Sequence, residues 1–426
     1  MIPAEIISKK REGRKLDKID IKNFIHGYLI GDVTRAQMSA FLMAVYFNGM
    51  KLEETLSLLE VMVNSGSKLN FEHSKNYVAD KHSTGGIGDK ISLILAPLMV
   101  ACGIKMPMIA GRSLGFTGGT IDKLEAIPGI NTSPSLNTFK GWINKVGGGI
   151  ISQSKEICPA DHKIYALRNE TGTIPSLPLI CSSILSKKIA EGIHGIVLDI
   201  KIGTGTFMKT KKDAYELGQL MKQVGLTYGI KVDIVYTNMN QPLGRFAGIA
   251  CEVDETIECL KGNGPDDLMK ITYEIGSKLL IQANLAIDKN SAINKLKKLI
   301  ESKIALKSFE LIIRNQNGNL DDLHINLNPK YEKFLNAEKS GFFHFVDTEK
   351  LGWALVELGC GYRTPSDSID SSSGIEFIKK TGEKVNKSEP VMRVFNSNPK
   401  RLDSAFKMLK RTFQIEKSPN KIKLFL

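Results

Sequence analysis

The stretch DKHSTGGIGDKIS, residues 80–92, joins a strand pattern to a helix pattern through a loop rich in glycine. The strand pattern begins at 77-YVAD-80, and an apolar helix pattern begins near Asp89. Glycines allow backbone N–H groups to approach a ligand closely, and a helix N-terminus favours negative charge. The loop adds a cation and hydroxyl donors, from Lys81, Ser83, Thr84 and Ser92. The stretch therefore predicts a strand–loop–helix unit whose loop binds phosphate.

The known phosphate-binding motifs do not describe this loop. No GxxxxGK[ST] pattern fits residues 80–92, so the loop is not a P-loop. It does not match the Rossmann fingerprint, and 203-GTGTF-207 lacks the third glycine of that fingerprint. The alternative is a glycine-rich turn that binds nothing, but His82 and the polar side chains of the loop favour a binding site.

A second polar loop, 111-GRSLGFTGGTIDKLEAIPG-129, follows the strand pattern PMIA at 107–110. We expect Thr120 to cap a short helix there. Polar loops at the carboxyl ends of neighbouring strands can converge on one anion. Asp122 and Glu125 are either catalytic carboxylates or acids that complement the helix dipole, and the second interpretation is favoured.

Outside these loops, the pattern predicts an α/β fold with an added helical lobe. Residues 1–66 carry apolar residues at helical spacing, with Thr34 as a cap. Short apolar runs then alternate with helical patterns, which predicts a mostly parallel sheet with crossover helices. Two successive helices between Pro159 and Gly192 interrupt this alternation. We expect them to join the N-terminal helices in a lobe, with a cleft between that lobe and the α/β lobe.

The domain boundaries follow from these changes of pattern. The last hundred residues include 374-GIEFIKKTGEKVNKSEPVMRVF-395, which predicts strand, turn and strand in an appended α+β domain. The predicted domains are a helical lobe at 1–66 and 161–194, an α/β phosphate-binding lobe at 75–155 and 195–330, and a C-terminal α+β domain at 331–426.

Composition favours a cytoplasmic globular protein. The chain has 426 residues, of which 42% are hydrophobic and 24% charged. Its longest apolar run, 91–104, is too short to span a bilayer, and the N-terminus lacks an apolar signal-peptide core. We therefore expect no membrane partner. The six cysteines form no CxxC pair and predict reduced core thiols.

The basic net charge does not by itself indicate a nucleic-acid partner. The formal charge is +13, but the lysines are scattered and are not interleaved with stacking aromatic residues. We expect no nucleic-acid binding. A basic surface of this kind is also compatible with small anionic substrates.

One helix of the inserted pair carries polar groups that could bind a flat ligand rich in acceptors. Ser183 and Lys187 are four residues apart and share a helix face, which Arg168 on the preceding helix can reach. Together they suit a pyrimidine ring, although such a trio is more often a solvated face. Lys188 is rotated about 100° around the helix and is predicted to face solvent.

Three of these stretches together resemble the pyrimidine nucleoside phosphorylases, the thymidine phosphorylase family. They are residues 80–92, 111–129 and 159-PADHKIYALRNETGTIPSLPLICSSILSKKIAEG-192. The pattern GR-x-L-G-x-TGGT-x-DKLE is highly specific. The resemblance extends from 9-KKREGRKL-16 through 241-QPLGRFAG-248 to 382-GEKVNKSEPV-391 and is weakest over 285–345.

The resemblance implies an enzyme with two substrates and a divided site. It implies reversible phosphorolysis of pyrimidine (deoxy)nucleosides (thymidine, deoxyuridine, uridine) to free base and (deoxy)ribose 1-phosphate. It also implies a homodimer joined through helical lobes and no organic cofactor, with inorganic phosphate as co-substrate. The catalytic residues it implies are His82 as proton donor, with Arg168 and Lys187 stabilising the leaving base.

The same resemblance assigns the binding residues. The phosphate-binding positions are Lys81, Ser83, Gly85, Gly86, Ser92, Ala110 and Thr120. The nucleoside-binding positions are Tyr165, Arg168, Ile180, Ser183, Lys187 and Phe207. Two positions depart from many members, which have serine at Ala110 and histidine at Phe116. Since a neutral hydrogen bond contributes about 0.5–1.5 kcal/mol, Ala110 predicts weaker phosphate binding, and Phe116 leaves the base preference open.

A monovalent cation is a further implication. Some bacterial members bind potassium near the glycine loop, at the positions of Gly88, Lys90, Leu243, Phe246 and Glu255. Lys90 and Phe246 differ from those relatives. Backbone carbonyls can be the ligands at such a site, but a lysine beside it is unfavourable to a cation.

Two other functions fit parts of the sequence. A phosphoribosyltransferase of the anthranilate type has a similar architecture and a comparable anion loop. It needs paired acids to hold Mg²⁺, and the sequence offers no convincing pair at a strand end. A non-catalytic nucleoside or anion sensor could have kept the fold, but the intact Lys81, Arg168, Ser183 and Lys187 argue against it.

Overall fold

The structure is a computed structural model that describes residues 1–71, 74–113, 115–364 and 367–426. Leu114, part of the GR-x-L-G pattern, lies outside the described residues. The chain divides into two compact units, which consist of Met1–Asp80, Gln153–Ile196 and Lys212–Asp233 in the first, and Lys81–Ser152, Val197–Lys211 and Ile234–Leu426 in the second.

The first unit begins with four helices, as the apolar spacing of residues 1–66 predicts. Thr34 caps the third of them in a capping box with Gln37, which confirms the predicted cap. Their apolar faces form one buried core that includes Phe24, Phe41 and Leu58. The helices are α1 (Pro3–Arg11), α2 (Lys18–Ile30), α3 (Arg35–Asn48) and α4 (Leu52–Asn64).

The middle of the chain alternates strands and helices, apart from one helical pair. The elements are β1 (Ala79–Ser83), α5 (Ile91–Ala101), β2 (Met106–Ala110), α6 (Thr120–Leu124), α7 (Leu136–Val146), β3 (Gly148–Ser152), α8 (Pro159–Thr171), α9 (Leu177–Ala190), β4 (Gly195–Ile202), α10 (Lys211–Thr227) and β5 (Lys231–Asn238). The two successive helices predicted between Pro159 and Gly192 are α8 and α9. Residues of α8 and α9 extend the core of the first unit, with Ile164 and Leu179 among its members.

The strands of this region form two sheets. Strands β2 and β3 pair in parallel, with Met106 opposite Gly148 and Ala110 opposite Ser152. Strands β1, β4 and β5 form a sheet in the order β1-β4-β5, and the boundaries between the two units fall within these strands. Helix α5 is buried along most of its length and packs against other helices of the second unit.

The prediction that Thr120 caps a helix is wrong. Gly119 is the N-cap residue of α6, and Thr120 is the first residue inside the helix. A side chain at position 119 has no room, because a Cβ there lies 2.2 Å from the Ser113 nitrogen and 2.4 Å from Asp122 Oδ2. The close approach of the two loop segments therefore requires glycine at the cap.

The end of the chain combines helices with antiparallel strands, which agrees with the predicted α+β appendage. Its sheets have the orders β6-β9-β11-β7 and β10-β8-β12. The elements are β6 (Phe246–Gly248), α11 (Ala250–Lys261), α12 (Asp266–Gln282), α13 (Lys289–Glu301), α14 (Ile304–Asn315), a 3₁₀ helix (Asp321–Leu327), β7 (Tyr331–Asn336), β8 (Gly341–Phe345), α15 (Thr348–Glu357), β9 (Gly374–Phe377), β10 (Lys384–Val385), β11 (Pro390–Asn396), α16 (Pro399–Leu409) and β12 (Phe413–Glu416).

The predicted fold class, a helical lobe plus an α/β lobe containing parallel strands, is confirmed. Within the described ranges, every helix is too short or too polar to cross a lipid bilayer. All six cysteines are free thiols, and five of them are buried, as the sequence predicts.

Candidate functional site

The glycine loop follows β1 directly and has the backbone geometry that its glycines permit. Gly85 has φ +91°, and its N–H donates to Ser83 Oγ at 3.1 Å. Position 86 has no room for a side chain, since a Cβ there lies 2.6 Å from Cδ of Lys201. Glycine is therefore required at position 85 for a left-handed backbone conformation, and at position 86 because the backbone passes close to a buried lysine.

The carboxylate of Asp89 lies at the centre of the donors in this loop. Lys81 Nζ is 3.5 Å and Lys201 Nζ 3.6 Å from Asp89 Oδ2, and the Ser83 hydroxyl donates to the same carboxylate. Burial raises the pKa of Asp89, but the Lys201 and Lys81 ammonium groups outweigh it and hold the pKa well below its usual range. Burial lowers the pKa of Lys81, an effect that Asp89 opposes. The loop thus forms a buried cluster in which two cations surround one carboxylate.

Sequence reasoning missed Lys201 and the role of Asp89. Lys201 is fully buried in β4, and its ammonium lies 2.7 Å from Asp199 Oδ2. The Lys201 N–H also donates to Thr84 Oγ1 at 2.9 Å, which ties the glycine loop to β4. A signal existed in the sequence: GIVLDIKI places two opposite charges two residues apart in an otherwise apolar strand, so both charges point to one side.

The second polar loop is held by Arg112. Its guanidinium makes two bonds to Glu125, at 2.6 and 2.7 Å, and one to Asp122 at 3.1 Å. Asp122 also accepts from the Ser113 N–H at 2.6 Å. Both carboxylates are therefore engaged in shaping the loop. This geometry argues against a catalytic role for either acid. The dipole interpretation holds for Asp122, in the first turn of α6, but is wrong for Glu125, which is the C-cap residue of that helix.

The remaining predicted phosphate positions lie at the ends of elements in the same unit. Ser92 is the second residue of α5 and Ala110 the last residue of β2, and both are partly exposed. Thr120 is the first residue of α6, whose next N–H, from Ile121, donates to Gly111 O at 3.3 Å. Near Ala110, the hydroxyl of Ser113 is buried and has no partner in the part of the chain that the structure describes.

Phe207 and Phe116 form an aromatic cluster in the second unit. Their ring centroids are 5.4 Å apart, and Trp353 lies 5.9 Å from Phe116. Lys209 Nζ lies 5.4 Å from the centroid of the Phe116 ring, at cation–π distance. Phe116 is buried and Phe207 is partly exposed, so Phe207 is the ring of this pair that is more accessible to a ligand.

In the first unit, Arg168 is buried and its orientation is fixed. Its Nη1 donates to Leu179 O at 3.0 Å and its Nη2 to Ile174 O at 2.7 Å, while the buried Nε has no partner among the described residues. Burial lowers the pKa of Arg168, and Asp161 and Tyr165 oppose this effect. Since guanidinium has five N–H donors, these bonds hold the group in place without using all of them.

Ser183 and Lys187 meet on one face of α9, as predicted, but they do so around an acid. Lys187 Nζ lies 3.1 Å from Ser183 Oγ and forms an ion pair with Asp161, in the first turn of α8. The second oxygen of Asp161 is buried, and no described residue donates to it. Asp161 was not predicted as a site residue, because its spacing along α8 does not reveal a partner on another helix.

Two further predicted nucleoside positions lie beside these groups. The ring of Tyr165 is 5.5 Å from the Arg168 guanidinium carbon, and burial raises the pKa of its hydroxyl to about 12. Ile180 is partly exposed on α9, one turn before Ser183. The first unit therefore brings together Tyr165, Arg168, Ile180, Ser183 and Lys187 on the α8–α9 pair.

His82 belongs to β1, between Lys81 and Ser83. Successive side chains of a strand point to opposite sides, so His82 lies on the side opposite Lys81 and Ser83. Its side chain is partly exposed. The strand therefore separates the predicted proton donor from the two predicted phosphate donors.

The prediction that Lys188 faces solvent is wrong. Lys188 is buried, and its ammonium forms an ion pair with Asp80 at 2.5 Å and donates to Glu191 Oε1 at 2.7 Å. The helix face that it occupies is covered because α9 is buried on nearly all sides. A lysine in such a position is stable only when acids neutralise it.

The positions implied for potassium lie close together. Lys90 Nζ is 2.8 Å from Phe246 O, 3.4 Å from Leu243 O and 2.5 Å from Glu255 Oε2. Gly88 packs against the same carbonyls, since a Cβ there lies 2.3 Å from Leu243 O. The lysine ammonium is thus the cation that these oxygens bind in the structure.

Comparison with known families matches three segments of the chain. Residues 4–66 match the family described as "Glycosyl transferase family, helical bundle domain" and residues 75–306 match "Glycosyl transferase family, a/b domain". Residues 342–416 match "Pyrimidine nucleoside phosphorylase C-terminal domain". The order of the three segments agrees with a helical part, an α/β part and a C-terminal part along the chain.

Curated relatives match over nearly the full length. The pyrimidine-nucleoside phosphorylase of Staphylococcus aureus (strain bovine RF122 / ET3-1) is 41% identical over 96% of this chain and 95% of the relative. That of Staphylococcus haemolyticus (strain JCSC1435) is 40% identical over 97% of this chain and 96% of the relative. The resemblance stated from the motifs is therefore confirmed.

A solved structure shares the fold. Anthranilate phosphoribosyltransferase (TrpD) from Thermus thermophilus matches with a TM-score of 0.57 and 15% identity, covering 73% of this chain and 99% of that one. At this identity the match shows the fold alone. Taken with the family and relative matches, the chain is an enzyme of the glycosyl transferase class and belongs to the pyrimidine-nucleoside phosphorylase family.

Proposed function

We propose that this protein catalyses the reversible phosphorolysis of pyrimidine nucleosides, to free base and pentose 1-phosphate. The observation that carries the proposal is the 41% identity, over 96% of the chain, to a relative named pyrimidine-nucleoside phosphorylase. In the reaction the glycosidic C–N bond breaks and its electron pair goes to the base. A phosphate oxygen forms the new bond to the anomeric carbon, and the base takes up a proton.

Phosphate is the proposed co-substrate of the second unit. Lys81 and Ser83 carry positive charge and a hydroxyl at the glycine loop, and Ser92 and Thr120 add hydroxyls at the starts of α5 and α6. Lys81 and Ser83 already interact with the Asp89 carboxylate. Phosphate binding therefore shifts these two donors, in part, from Asp89 to the phosphate. No organic cofactor enters this proposal.

The base of the nucleoside is the proposed ligand of the first unit. Breaking the glycosidic bond leaves negative charge on the pyrimidine, and a catalyst gains rate by binding that charge more tightly than it binds the neutral substrate. Arg168 suits this role because two backbone carbonyls fix its guanidinium while N–H donors remain. Lys187 and Ser183 supply an ammonium and a hydroxyl one turn apart.

His82 is the proposed proton donor to the leaving base. An imidazole with an ordinary pKa of about 6.5 can donate a proton near neutral pH. The alternative is an orienting role, since Arg168 and Lys187 can stabilise the anionic base unaided. The variant His82→Gln tests this: a fall in kcat of tenfold or more supports proton donation, and an unchanged kcat removes His82 from the mechanism.

We further propose that the protein uses thymidine, deoxyuridine and uridine, and that it works as a homodimer joined through its helical units. The family resemblance supports both statements. Light scattering of the purified protein tests the second, because a homodimer has twice the chain mass of 47.0 kDa. A monomer that phosphorolyses nucleosides at full rate contradicts it.

The experiment that tests the function measures release of free base from each of the three nucleosides, with and without phosphate. We expect release that requires phosphate and yields pentose 1-phosphate. Release that does not depend on phosphate indicates a hydrolase and overturns the proposal. Binding of nucleosides without release supports a sensor, and transfer that requires Mg²⁺ and a pyrophosphate donor supports a phosphoribosyltransferase.

A further inference from the structure

The ammonium of Lys90 is completely buried and surrounded by oxygen atoms. It donates to Phe246 O at 2.8 Å and to Leu243 O at 3.4 Å, and it pairs with Glu255 Oε2 at 2.5 Å. An ammonium has three N–H donors, and these three oxygens match that number. Lys90 has a side-chain exposure of 0%, so water does not compete for these donors.

The segment that supplies the oxygens is itself held by the same carboxylate. Glu255 accepts from the Arg245 N–H at 2.6 Å and from the Phe246 N–H at 3.2 Å, in addition to the Lys90 ammonium. The carbonyls of Leu243 and Phe246 are thereby aimed at one point. Backbone carbonyls and a carboxylate converging on one point form the type of site that binds a cation without its water shell.

The glycines around this point leave no space for an additional group. A Cβ at Gly88 lies 2.3 Å from Leu243 O, and one at Gly244 lies 2.9 Å from Lys90 Nζ and 2.7 Å from Glu255 Oε2. Both glycines have φ +74°. Glycine is therefore required at both positions for the backbone to pass this close to the ammonium and its oxygen partners.

The local charge is also balanced by the lysine. The Glu255 carboxylate lies 2.5 Å from the Lys90 ammonium and pairs with its positive charge. Glu252 lies 3.9 Å from Lys90 Nζ and only 2.6 Å from Lys123 Nζ, which leaves Glu255 as the counter-ion of Lys90. A second cation bound to the same oxygens would be repelled by the Lys90 ammonium. The described residues offer no further acid there to offset the added charge.

We propose that the Lys90 ammonium takes the place of a monovalent cation in this protein, so that the site formed by Leu243 O, Phe246 O and the Glu255 carboxylate needs no potassium. The positions at which the family resemblance implies potassium do not fit the ion while this side chain is present. The ammonium instead links the glycine loop, which ends at Asp89, to the Leu243–Phe246 segment. Because the ammonium is part of the Lys90 side chain, it does not dissociate at low salt concentration as a bound ion would.

The first test uses the wild-type protein. Its Tm is measured in potassium, sodium and tetramethylammonium chloride at one ionic strength, and crystals are soaked in rubidium chloride, whose anomalous signal marks bound ions. We expect Tm values within about 1 °C of one another and no rubidium peak among Leu243 O, Phe246 O and Glu255. A rubidium peak there, or a Tm that potassium raises by several degrees, overturns the proposal.

The second test removes the ammonium and offers an ion in its place. In Lys90→Ala the oxygens remain and the side-chain volume is freed, so we expect a lower Tm that potassium or ammonium ions raise by at least about 2 °C. Tetramethylammonium, which is too large and donates no hydrogen bond, gives no rise. In Lys90→Met an uncharged chain of similar length fills the space, and we expect no ion-specific rise.

A matched control is the buried pair of Lys10 and Glu54 in the first unit. Lys10 Nζ lies 2.9 Å from Glu54 Oε1, and both side chains are as buried as those of Lys90 and Glu255. Lys10 has one oxygen partner among the described residues, in place of three. We therefore expect Lys10→Ala to lower the Tm without recovery in potassium. Equal recovery in Lys10→Ala and Lys90→Ala overturns the proposal, and if Lys90→Ala does not fold, the wild-type arm decides.

Discussion

Lys187 and Lys188 are neighbours in the sequence but have different surroundings. Lys187 is partly exposed and lies beside Ser183 and Asp161, whereas Lys188 is buried between Asp80 and Glu191. Helical spacing placed the first correctly. It could not place the second, because the partner Asp80 is 108 positions away in the chain. A buried ion pair formed over such a distance has no periodic signal in the sequence.

The Asp80–Lys188–Glu191 cluster predicts a dependence of stability on pH. Burial raises the pKa of Glu191 well above its usual value, Lys188 opposes this, and a hydrogen bond between the Asp80 and Glu191 carboxyls requires a proton. Because the folded pKa is raised, the contribution of Glu191 to stability is complete below its unfolded pKa of about 4.3 and is lost as the pH rises through the folded value.

The variant Glu191→Gln keeps the shape of the protonated acid and cannot ionise. We expect its free energy of unfolding to fall less than that of the wild type as the pH rises from 5 to 9. Urea denaturation across that range measures the difference. The variant Glu258→Gln, at a partly exposed acid, is the control and should follow the wild type. Parallel curves for wild type and Glu191→Gln show that Glu191 is ionised in the fold.

Ser183 and Ser182 offer a matched pair for the proposed nucleoside contact. Ser183 Oγ lies 3.1 Å from Lys187 Nζ, whereas Ser182 Oγ is buried and has no partner within the described ranges. Since a lost neutral hydrogen bond costs about 0.5–1.5 kcal/mol, we expect Ser183→Ala to raise KM for the nucleoside about 2- to 13-fold. Ser182→Ala should leave KM unchanged. Steady-state rates at saturating phosphate measure both, and equal effects of the two variants exclude Ser183 from the nucleoside site.

At the scale of elements, periodicity and glycine placement predicted most of what the structure contains. The apolar run PMIA at 107–110 became β2 (Met106–Ala110), and further short apolar runs became β3, β4 and β5, because strands of a sheet core need continuous apolar sequence. The prediction that Thr120 is the helix cap was wrong because the cap is Gly119, where the backbone passes too close to Ser113 for any side chain. The Asp89–Lys201 contact was missed because it joins a loop to a strand more than a hundred residues later.

The β1–α5 loop predicts a difference between two glycines of positive φ. Gly88 has φ +74° and a hypothetical Cβ 2.3 Å from Leu243 O, whereas Gly262 has φ +96° and its nearest contact is an ordinary 3.7 Å. Alanine at position 262 loses stability only because it must adopt a left-handed backbone conformation, which costs about 1–2 kcal/mol. Alanine at Gly88 adds an overlap with backbone, about 1–3 kcal/mol more.

Thermal or urea unfolding of Gly88→Ala and Gly262→Ala measures this difference. Both glycines belong to the second unit, so the two variants report on the same cooperative core. We expect Gly88→Ala to lose clearly more stability than Gly262→Ala. Equal losses contradict the close packing of the glycine loop against the Leu243–Phe246 segment.

For the whole molecule, the positive charge is partly internal. The chain carries 58 lysine and arginine residues against 45 acids, yet Lys10, Lys90, Lys123, Lys188 and Lys201 are buried beside carboxylates. A count of charges from the sequence therefore says little about where an anion binds. The motif predicts that the glycine loop is the anion site, and the structure adds that Lys81 belongs to a buried charge cluster.

The last prediction separates specific phosphate binding from attraction to a basic surface. A ligand that binds only the folded state stabilises it, by about 2.7 kcal/mol at a hundred times Kd. For a chain of 426 residues, this corresponds to a Tm rise of about 2–4 °C. We expect phosphate to produce this rise in the wild type, relative to chloride at the same ionic strength.

In Lys81→Met the rise should be absent, because the cation of the glycine loop is gone while Lys201 still neutralises Asp89. Lys400→Met, at an exposed lysine of α16, keeps the local site and should keep the full rise. Calorimetry of the three proteins compares the increment due to phosphate within each protein, so a lower starting Tm of Lys81→Met does not confuse the result. A rise that persists in Lys81→Met places the phosphate elsewhere, and a rise reduced in both variants reflects net charge alone.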